Sequence, residues 1–447
     1  MQRESPISFR RRSWSRDFAR LWLAEGASVA AQQVAELALP LLAVLVLHAS
    51  AIELGLLGVA RWLPFLLLAL PLGVLVDRHR RRPLIVTADW ARAVLTLAIV
   101  IAAVAGALTV PALAVLAAAI GCFTVLFEVS YQSVLPSVVP TAALPGANTR
   151  LAATASAVQV GGPGLGGLLV QAVTAPFALL VTAGGYVVSA ISVAGIRAPE
   201  APSGRSGGFL AELRGGLRFV ARDRYLVANL GFSALYNPFS QWIMVLFTLH
   251  AVQGLGLDAA QLGLVLAIGA VGALVGSVLA GPAVRRFGGG RPILWCAAVN
   301  CLSLLAIPFA DASWGTPWLI ATFGVVFALN GASTTLSSVI LVTIRQLRTP
   351  DRLLGRVNAS MRWVSFGTIA IGAAAGGFAG ELLGTRSGLA IGALLCLGSF
   401  VWVALSPLPR IGDPAELAIA ERRDPDRAAD HAAAATGAPE GRARDRS

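Results

Sequence analysis

The sequence has no lysine, only four cysteines, four histidines and four tyrosines, and 13% charged residues. Each shortage closes a class of protein. Four cysteines in 447 residues do not frame a disulfide-stapled fold, and no Cys/His spacing fits a zinc site. Four tyrosines do not furnish the aromatic girdles of a membrane β-barrel. The charged share is about half that of a soluble globular protein, which argues against an ordinary soluble enzyme. There is no Walker A phosphate loop, so ATP-driven work by this chain alone is not expected. A Gly-x-Ser-x-Gly nucleophile motif is missing too. The expectation is a chain that is not an enzyme and has no cofactor and no metal.

What is present is apolar: 56% of the residues, with a mean hydropathy of +0.74. A bilayer core needs roughly 20 apolar residues in helix. On that ruler twelve spans emerge, at about 22–46, 54–76, 84–107, 111–135, 146–171, 175–196, 225–250, 259–283, 291–310, 316–342, 357–382 and 387–406. The expected fold is therefore all-α, a polytopic membrane protein of twelve transmembrane helices. Residues 1–21 read as a polar tail, not a signal peptide, because no cleavage site follows a short apolar core.

All 35 basic residues are arginine. Of these, 31 lie in or at the edges of the two tails and the even-numbered loops, and only Arg386 lies in an odd-numbered loop. Arg61, Arg92 and Arg362 fall inside spans. Positive residues stay cytoplasmic, so both termini are expected inside, in the cell membrane. Arginines dealt out between apolar runs do not form a nucleic-acid face; the partners expected are membrane lipid, a small-molecule substrate and protons, with the chain a monomer.

The organisation predicted is a cytoplasmic tail at 1–21, a six-helix bundle at 22–196, a linker at 197–224, a second six-helix bundle at 225–406 and a disordered tail at 407–447. In the linker, Leu210, Leu213, Leu217 and Val220 recur at helical spacing, which predicts an amphipathic helix on the inner membrane surface. The bundles repeat one another. Pro140, Leu144 and Asn148 recur as Pro350, Leu354 and Asn358, and Gly162, Gly166 and Gly167 as Gly372, Gly376 and Gly377, all at an offset of 210. Gly73 recurs as Gly281 at an offset of 208. Both copies begin on the same side, so the repeats are parallel.

These residues carry a family resemblance. Gly73-Val-Leu-Val-Asp77-Arg78-His-Arg80-Arg81-Arg82 resembles the loop 2–3 signature of the major facilitator superfamily. Gly162-Pro163-Gly164-Leu165-Gly166-Gly167 resembles the core of its antiporter motif. Leu37-Ala38-Leu39-Pro40, Arg61-Trp62-Leu63-Pro64, Asp89 with Arg92, and Gly355-Arg356-Val357 are similar to the branch containing the macrolide efflux proteins and the enterobactin exporter. The chain departs from those patterns at Arg80 and Val158, where glycine is usual, and in Val115 to Cys122, which lacks the arginine of many drug/proton antiporters. The resemblance implies gating by Gly73, Asp77, Arg78, Arg81 and Arg82, with Asp77 approaching the N-terminal end of span 11, where a helix dipole favours an anion. Asp89 and Arg92, three apart on one helix face, read as a structural ion pair beside that gate. Gly162, Pro163, Gly166 and Gly167 read either as a hinge or seal, or as plain close packing.

Polar residues in the spans gather in stripes. Glu25 and Glu36 are eleven apart, about 20° from eclipsed, with Ser28, Gln32 and Gln33 beside them. Span 4 carries Thr124, Glu128, Tyr131 and Gln132; span 7 carries Asn229, Ser233, Tyr236, Asn237 and Ser240; span 10 carries Asn330, Ser333, Thr334 and Ser337. The resemblance implies that spans 1, 4, 7 and 10 line a central cavity. The other reading is hydrogen bonding between helices. Ionisable groups inside a membrane are costly and mark pathways. Glu36, Glu128 and Glu25 are therefore the proton-coupling candidates, in that order, with Glu25 expected to be better solvated near the cytoplasmic surface. The function predicted is secondary active export of an amphipathic small molecule by alternating access, driven by proton entry. An importer or lipid transporter of the same fold, and a non-transporting receptor or scaffold, are the alternatives.

Overall fold

The computed structural model describes residues 16–140, 143–197 and 209–418. Its helices are α1 (Arg16–Leu45), α2 (Ala51–Arg78), α3 (Arg81–Val104), α4 (Val110–Val138), α5 (Leu144–Val173), α6 (Ala175–Ala194), α7 (Phe209–Arg222), α8 (Arg224–Leu249), α9 (Ala259–Phe287), α10 (Gly290–Leu304), α11 (Thr316–Arg348), α12 (Asp351–Leu383) and α13 (Thr385–Leu405). Among the described residues there is no strand. Ten of these helices are long and apolar enough to cross a membrane. The other two long ones, α5 and α8, have 30 and 26 residues and carry more polar side chains, among them Arg150, Thr154 and Gln159 on α5 and Asn229, Asn237 and Gln241 on α8. The chain is a multi-pass membrane protein of twelve long helices in two parallel repeats of six.

The repeat is visible in how the helices start and stop. Ser50 and Glu53 form a reciprocal capping box at the start of α2, and Asp258 and Gln261 form the same box at the start of α9, 208 residues on. Thr174 ends α5 at φ 71°, ψ 160°, and Gly384, 210 residues on, ends α12 at φ 80°, ψ 153°. That backbone region is essentially glycine's, so the first copy holds a β-branched residue where the second holds the residue that fits.

Two glycine crossings join the repeats. A Cβ on Gly55 of α2 would sit 2.8 Å from Gly377 Cα on α12, and one on Gly263 of α9 would sit 2.8 Å from Gly167 Cα on α5. The two crossings are the same contact made twice, related by the repeat. Both lie toward the end of the molecule away from the start of α1. Halfway along α2 and α12 the contact turns aromatic: Trp62 stacks on Phe366 at 5.6 Å between centroids, and Trp363 Nε1 donates to Leu66 O at 2.9 Å.

Three sequence expectations meet the structure differently. The apolar face of α7 is buried against protein: Leu213 and Val220 are buried, and Ser360 Oγ of α12 donates to Leu213 O at 3.3 Å. A helix expected on the membrane surface thus packs on α12, because Gly216 lets the two backbones close to within a Cβ's width of Arg356 O. Residues 16–21, placed in a tail, belong to α1. Residues 407–418, placed in a disordered tail, fold back: Leu408 and Ile411 are buried, and Gly289 N and Gly290 N donate to Gly412 O and Ile411 O at 2.7 and 2.9 Å. Those bonds satisfy backbone donors at the start of α10. The tail segments expected at 1–15 and 419–447, and residues 198–208 of the linker, lie outside the described residues.

Candidate functional site

A cavity of about 320 Å³ lies where the two repeats face one another. Its walls are mostly apolar, with Leu37, Leu54, Leu57, Met244 and Phe327. Its polar groups are Gln33, Glu36, Arg61, Gln241, Thr248 and Asn330. Glu36 on α1 meets Arg61 on α2 at 3.4 Å, and Gln33 Nε2 donates to the other Glu36 oxygen at 3.4 Å. Gln33 and Glu36 share the cavity because they are three apart on one helix. A Cβ on Gly162 would stand 2.6 Å from Gln33 Cβ, so the glycine is what lets α5 approach α1, and Pro163 next to it reaches the cavity wall. An apolar chamber with one carboxylate–guanidinium pair suits an amphipathic molecule with few polar groups.

A second polar cluster fills the first repeat. Asp89 and Arg92 are both fully buried and ion-paired to each other. Ser189 Oγ donates to Asp89 at 2.6 Å, and Arg92 donates to Ser28 Oγ at 3.2 Å. The guanidinium lies between the rings of Phe127 and Tyr186, at 4.2 and 4.3 Å from their centroids. These contacts tie α3 to α1, α4 and α6. Glu25 turns into the same region, with Tyr131, Glu128, Arg92 and Asp89 as its electrostatic neighbours. Its Oε2 is shut from solvent and has no hydrogen-bond partner, whereas the Glu36 side chain is 48% exposed. The expectation that Glu25 is the better solvated of the two is therefore corrected: Glu25 faces α4, and Glu36 faces the cavity.

Glu128 accepts a bond from Arg362 Nη2 at 3.1 Å. That pair joins α4 of the first repeat to α12 of the second. The first repeat's own span 4 lacks an arginine for Glu128; the second repeat supplies it. Among Arg61, Asp89, Arg92 and Arg362, only Asp89 and Arg92 pair with each other; Arg61 and Arg362 pair with Glu36 and Glu128.

The stripes do not share one cavity. Gln33, Glu36 and Asn330 line the central one. Asn229, Ser233, Tyr236, Asn237, Thr334 and Ser337 line a separate cavity of about 230 Å³ between α8, α10 and α11, with Asn300, Ser338 and Arg345. Asn330 Nδ2 donates to Tyr236 Oη at 2.9 Å, so a residue lining the central cavity bonds to one lining the second. Gln32, Ser240 and Ser333 line neither. Ser28 is held by Arg92, and Thr124 donates to its own helix at Ile120 O. Tyr131 is buried, its ring stacked on Phe127. The side chains of Gln132 and Asp77 lie outside the described residues. Of the other gating candidates, Gly73 stands in open space, Arg78 is exposed, and Arg82 donates to Ile196 O just past the end of α6. Arg81 lies beside Arg82 in the first turn of α3.

Gln241, Thr248, Asn300 and Arg345 are lining residues that sequence reading missed, and Arg61, marked in the sequence only by its place in a span and in a motif, is another. Gln241 and Thr248 continue the stripe of α8 beyond Ser240, whereas Asn300 stands alone on α10 and Arg345 lies past the apolar run of α11. Gly55 and Gly263 were legible in principle, since they share the 208 offset of Gly73 and Gly281. Arg386, the one arginine in an odd-numbered loop, is balanced by Asp311 at 3.9 Å and donates to Pro308 O at 2.6 Å. The backbone N–H of Ser313 holds the Asp311 carboxyl below its ordinary range, with Arg386 adding to it.

A family model described as transmembrane secretion effector matches residues 13–433. No curated protein matches the sequence. The solved structures it resembles include a mutant of the nucleoside transporter NupG, at 11% identity and TM-score 0.69, covering 87% of this chain and 99% of that one. A bacterial homologue of the iron transporter ferroportin in its inward-facing state matches at 18% identity and TM-score 0.64, covering 90% and 100%. A bacterial homolog of the human lysosomal transporter Spinster, inward-facing and occupied, matches at 15% identity and TM-score 0.60, covering 90% and 95%. At these identities the likeness shows the fold alone.

Proposed function

The chain belongs to the family of transmembrane secretion effectors, transporters of the major facilitator fold, and from that premise we propose that it exports an amphipathic small molecule by alternating access, with protons entering in exchange. The observation that carries the reading is the central cavity, apolar on most of its wall and charged only at Glu36 and Arg61, which are 3.4 Å apart. In such a pair, a proton on the carboxyl frees the guanidinium, and a substrate or the other repeat then competes for it. Glu36 is the first coupling residue on this account, because it alone of the three glutamates faces the cavity. Glu128 is the second, because its partner Arg362 belongs to the opposite repeat. Glu25 is third, because it does not line the central cavity and sits beside Tyr131 and Arg92 instead.

The glycine crossings support alternating access. They bring the repeats into close contact at the end away from the start of α1, and on this reading that end opens when they part. With the arginine-rich loops cytoplasmic, that end faces outward. Asp77 and the arginines after it take the gating role at the cytoplasmic end, and the branch of macrolide and enterobactin exporters is the one the motifs favour. The test is efflux from a susceptible host across a panel of macrolides, siderophores and amphiphilic dyes, with and without a protonophore. Export that depends on the chain and on the proton gradient is expected. Gradient-driven uptake instead would replace the reading with import.

A further inference from the structure

The second cavity has a chemistry that the central one lacks. It is lined by Asn229, Tyr236, Thr334, Ser338, Asn300 and Arg345 among others, and no aspartate or glutamate lines it. Two of its donors have nothing to bind. Asn300 is fully buried; its Oδ1 accepts from Thr334 at 3.3 Å, and its Nδ2 has no partner. Arg345 Nε has none either, and Nη1 reaches only the thioether of Met361, at 3.4 Å. A buried donor without an acceptor is costly, and a charged one more so. Among the described residues no carboxylate pairs with Arg345, although Arg61, Arg92, Arg348, Arg362 and Arg386 all have one. Donors in excess and a guanidinium without a counter-ion describe a site that wants a compact oxyanion. The guanidinium fork matches carboxylate and phosphate oxygens two at a time.

We propose that the cavity between α8, α10 and α11 binds an oxyanion, a carboxylate or phosphate, through Arg345 and Asn300. The proposal deepens the export reading and rests on it for its use: the anion is the headgroup of the transported amphiphile, whose apolar body lies in the central cavity beyond the Asn330–Tyr236 hydrogen bond. Parting of that bond joins the two chambers.

The experiment is equilibrium binding to the full chain in phosphatidylcholine nanodiscs, read as a ligand-dependent rise in the unfolding temperature. The probes are dodecyl phosphate, dodecyltrimethylammonium and inorganic phosphate. Dodecyl phosphate should stabilise saturably, and the cationic amphiphile should not. Arg345→Gln and Asn300→Asp should each weaken dodecyl phosphate by about tenfold or more, the second by placing a like charge in the site. Arg345→Lys should weaken it less. Competition by inorganic phosphate would make the ligand a free oxyanion; its absence would make the ligand a headgroup with its chain. If both charge-altering variants bind dodecyl phosphate as the wild type does, or the cation binds equally well, the proposal is wrong. Should Arg345→Gln not fold, Asn300→Asp carries the test alone. Because binding is read without transport, a chain that binds but does not export would overturn the export reading and leave the site standing.

Discussion

At the scale of single residues, the charges inside the membrane divide by whether their partner is local. Asp89 and Arg92 are one turn apart, fully buried, and meet within their own helix. Breaking such a pair leaves an uncompensated buried charge and costs about 3–5 kcal/mol. Asp89→Leu should therefore lower stability by that order, measured as loss of folded protein in a detergent thermal-stability series. Unchanged stability would mean that Ser28, Phe127 and Tyr186 suffice to hold Arg92. Glu128 and Arg362 come from opposite repeats, so their pair must respond when the repeats move. Glu128→Arg and Arg362→Glu should each impair transport strongly, and the two together should restore a substantial part of it. A double variant no better than either single would mean the pair is incidental. Spacing made the first pair legible in the sequence, three residues on one helix. The second was not, because 234 residues separate its members and nothing local marks them as neighbours.

At the scale of elements, the two glycine crossings set how closely the repeats approach. Gly167→Leu or Gly377→Leu would put a side chain where a single Cβ already stands 2.8 Å from the facing glycine Cα. Overpacking of this kind costs about 1–3 kcal/mol, and it should hold the crossing apart. Cysteine-accessibility labelling at the 251–258 turn should then rise several-fold over wild type; unchanged labelling would mean that the crossings do not seal that end. The end of α5 offers the opposite change. Thr174 occupies backbone space that is essentially glycine's, at a strain of about 1–3 kcal/mol, so Thr174→Gly should stabilise by roughly 1 kcal/mol after the entropy that glycine loses. The helices were legible, because apolar length and arginine sorting leave little freedom. The polar stripes were legible as stripes but not as sites. Periodicity gives the face of a helix and not what the face meets: the resemblance puts α8 and α11 on the central cavity, but most of their polar residues enclose the second one. The folded segment after α13 carried no signal, since Leu408 and Ile411 are two apolar residues in a polar run.

At the scale of the whole molecule, twelve spans, two parallel repeats and a chamber between them amount to a machine for moving a molecule across a bilayer. Its topology is checked by labelling single cysteines from either side. The 251–258 turn should react from outside and the tail after α13 only from inside, and a tail labelled from outside would invert the account. The central claim is exchange of an amphiphile for protons through Glu36. The most direct measurement is transport in proteoliposomes, using the substrate found by the efflux panel. Gradient-driven accumulation and gradient-free exchange would be measured in the same vesicles, for the wild type and Glu36→Gln. The account predicts that the wild type does both, and that Glu36→Gln keeps exchange, which needs no net proton movement, and loses accumulation. Full gradient-driven accumulation by Glu36→Gln, and by Glu128→Gln beside it, would contradict it.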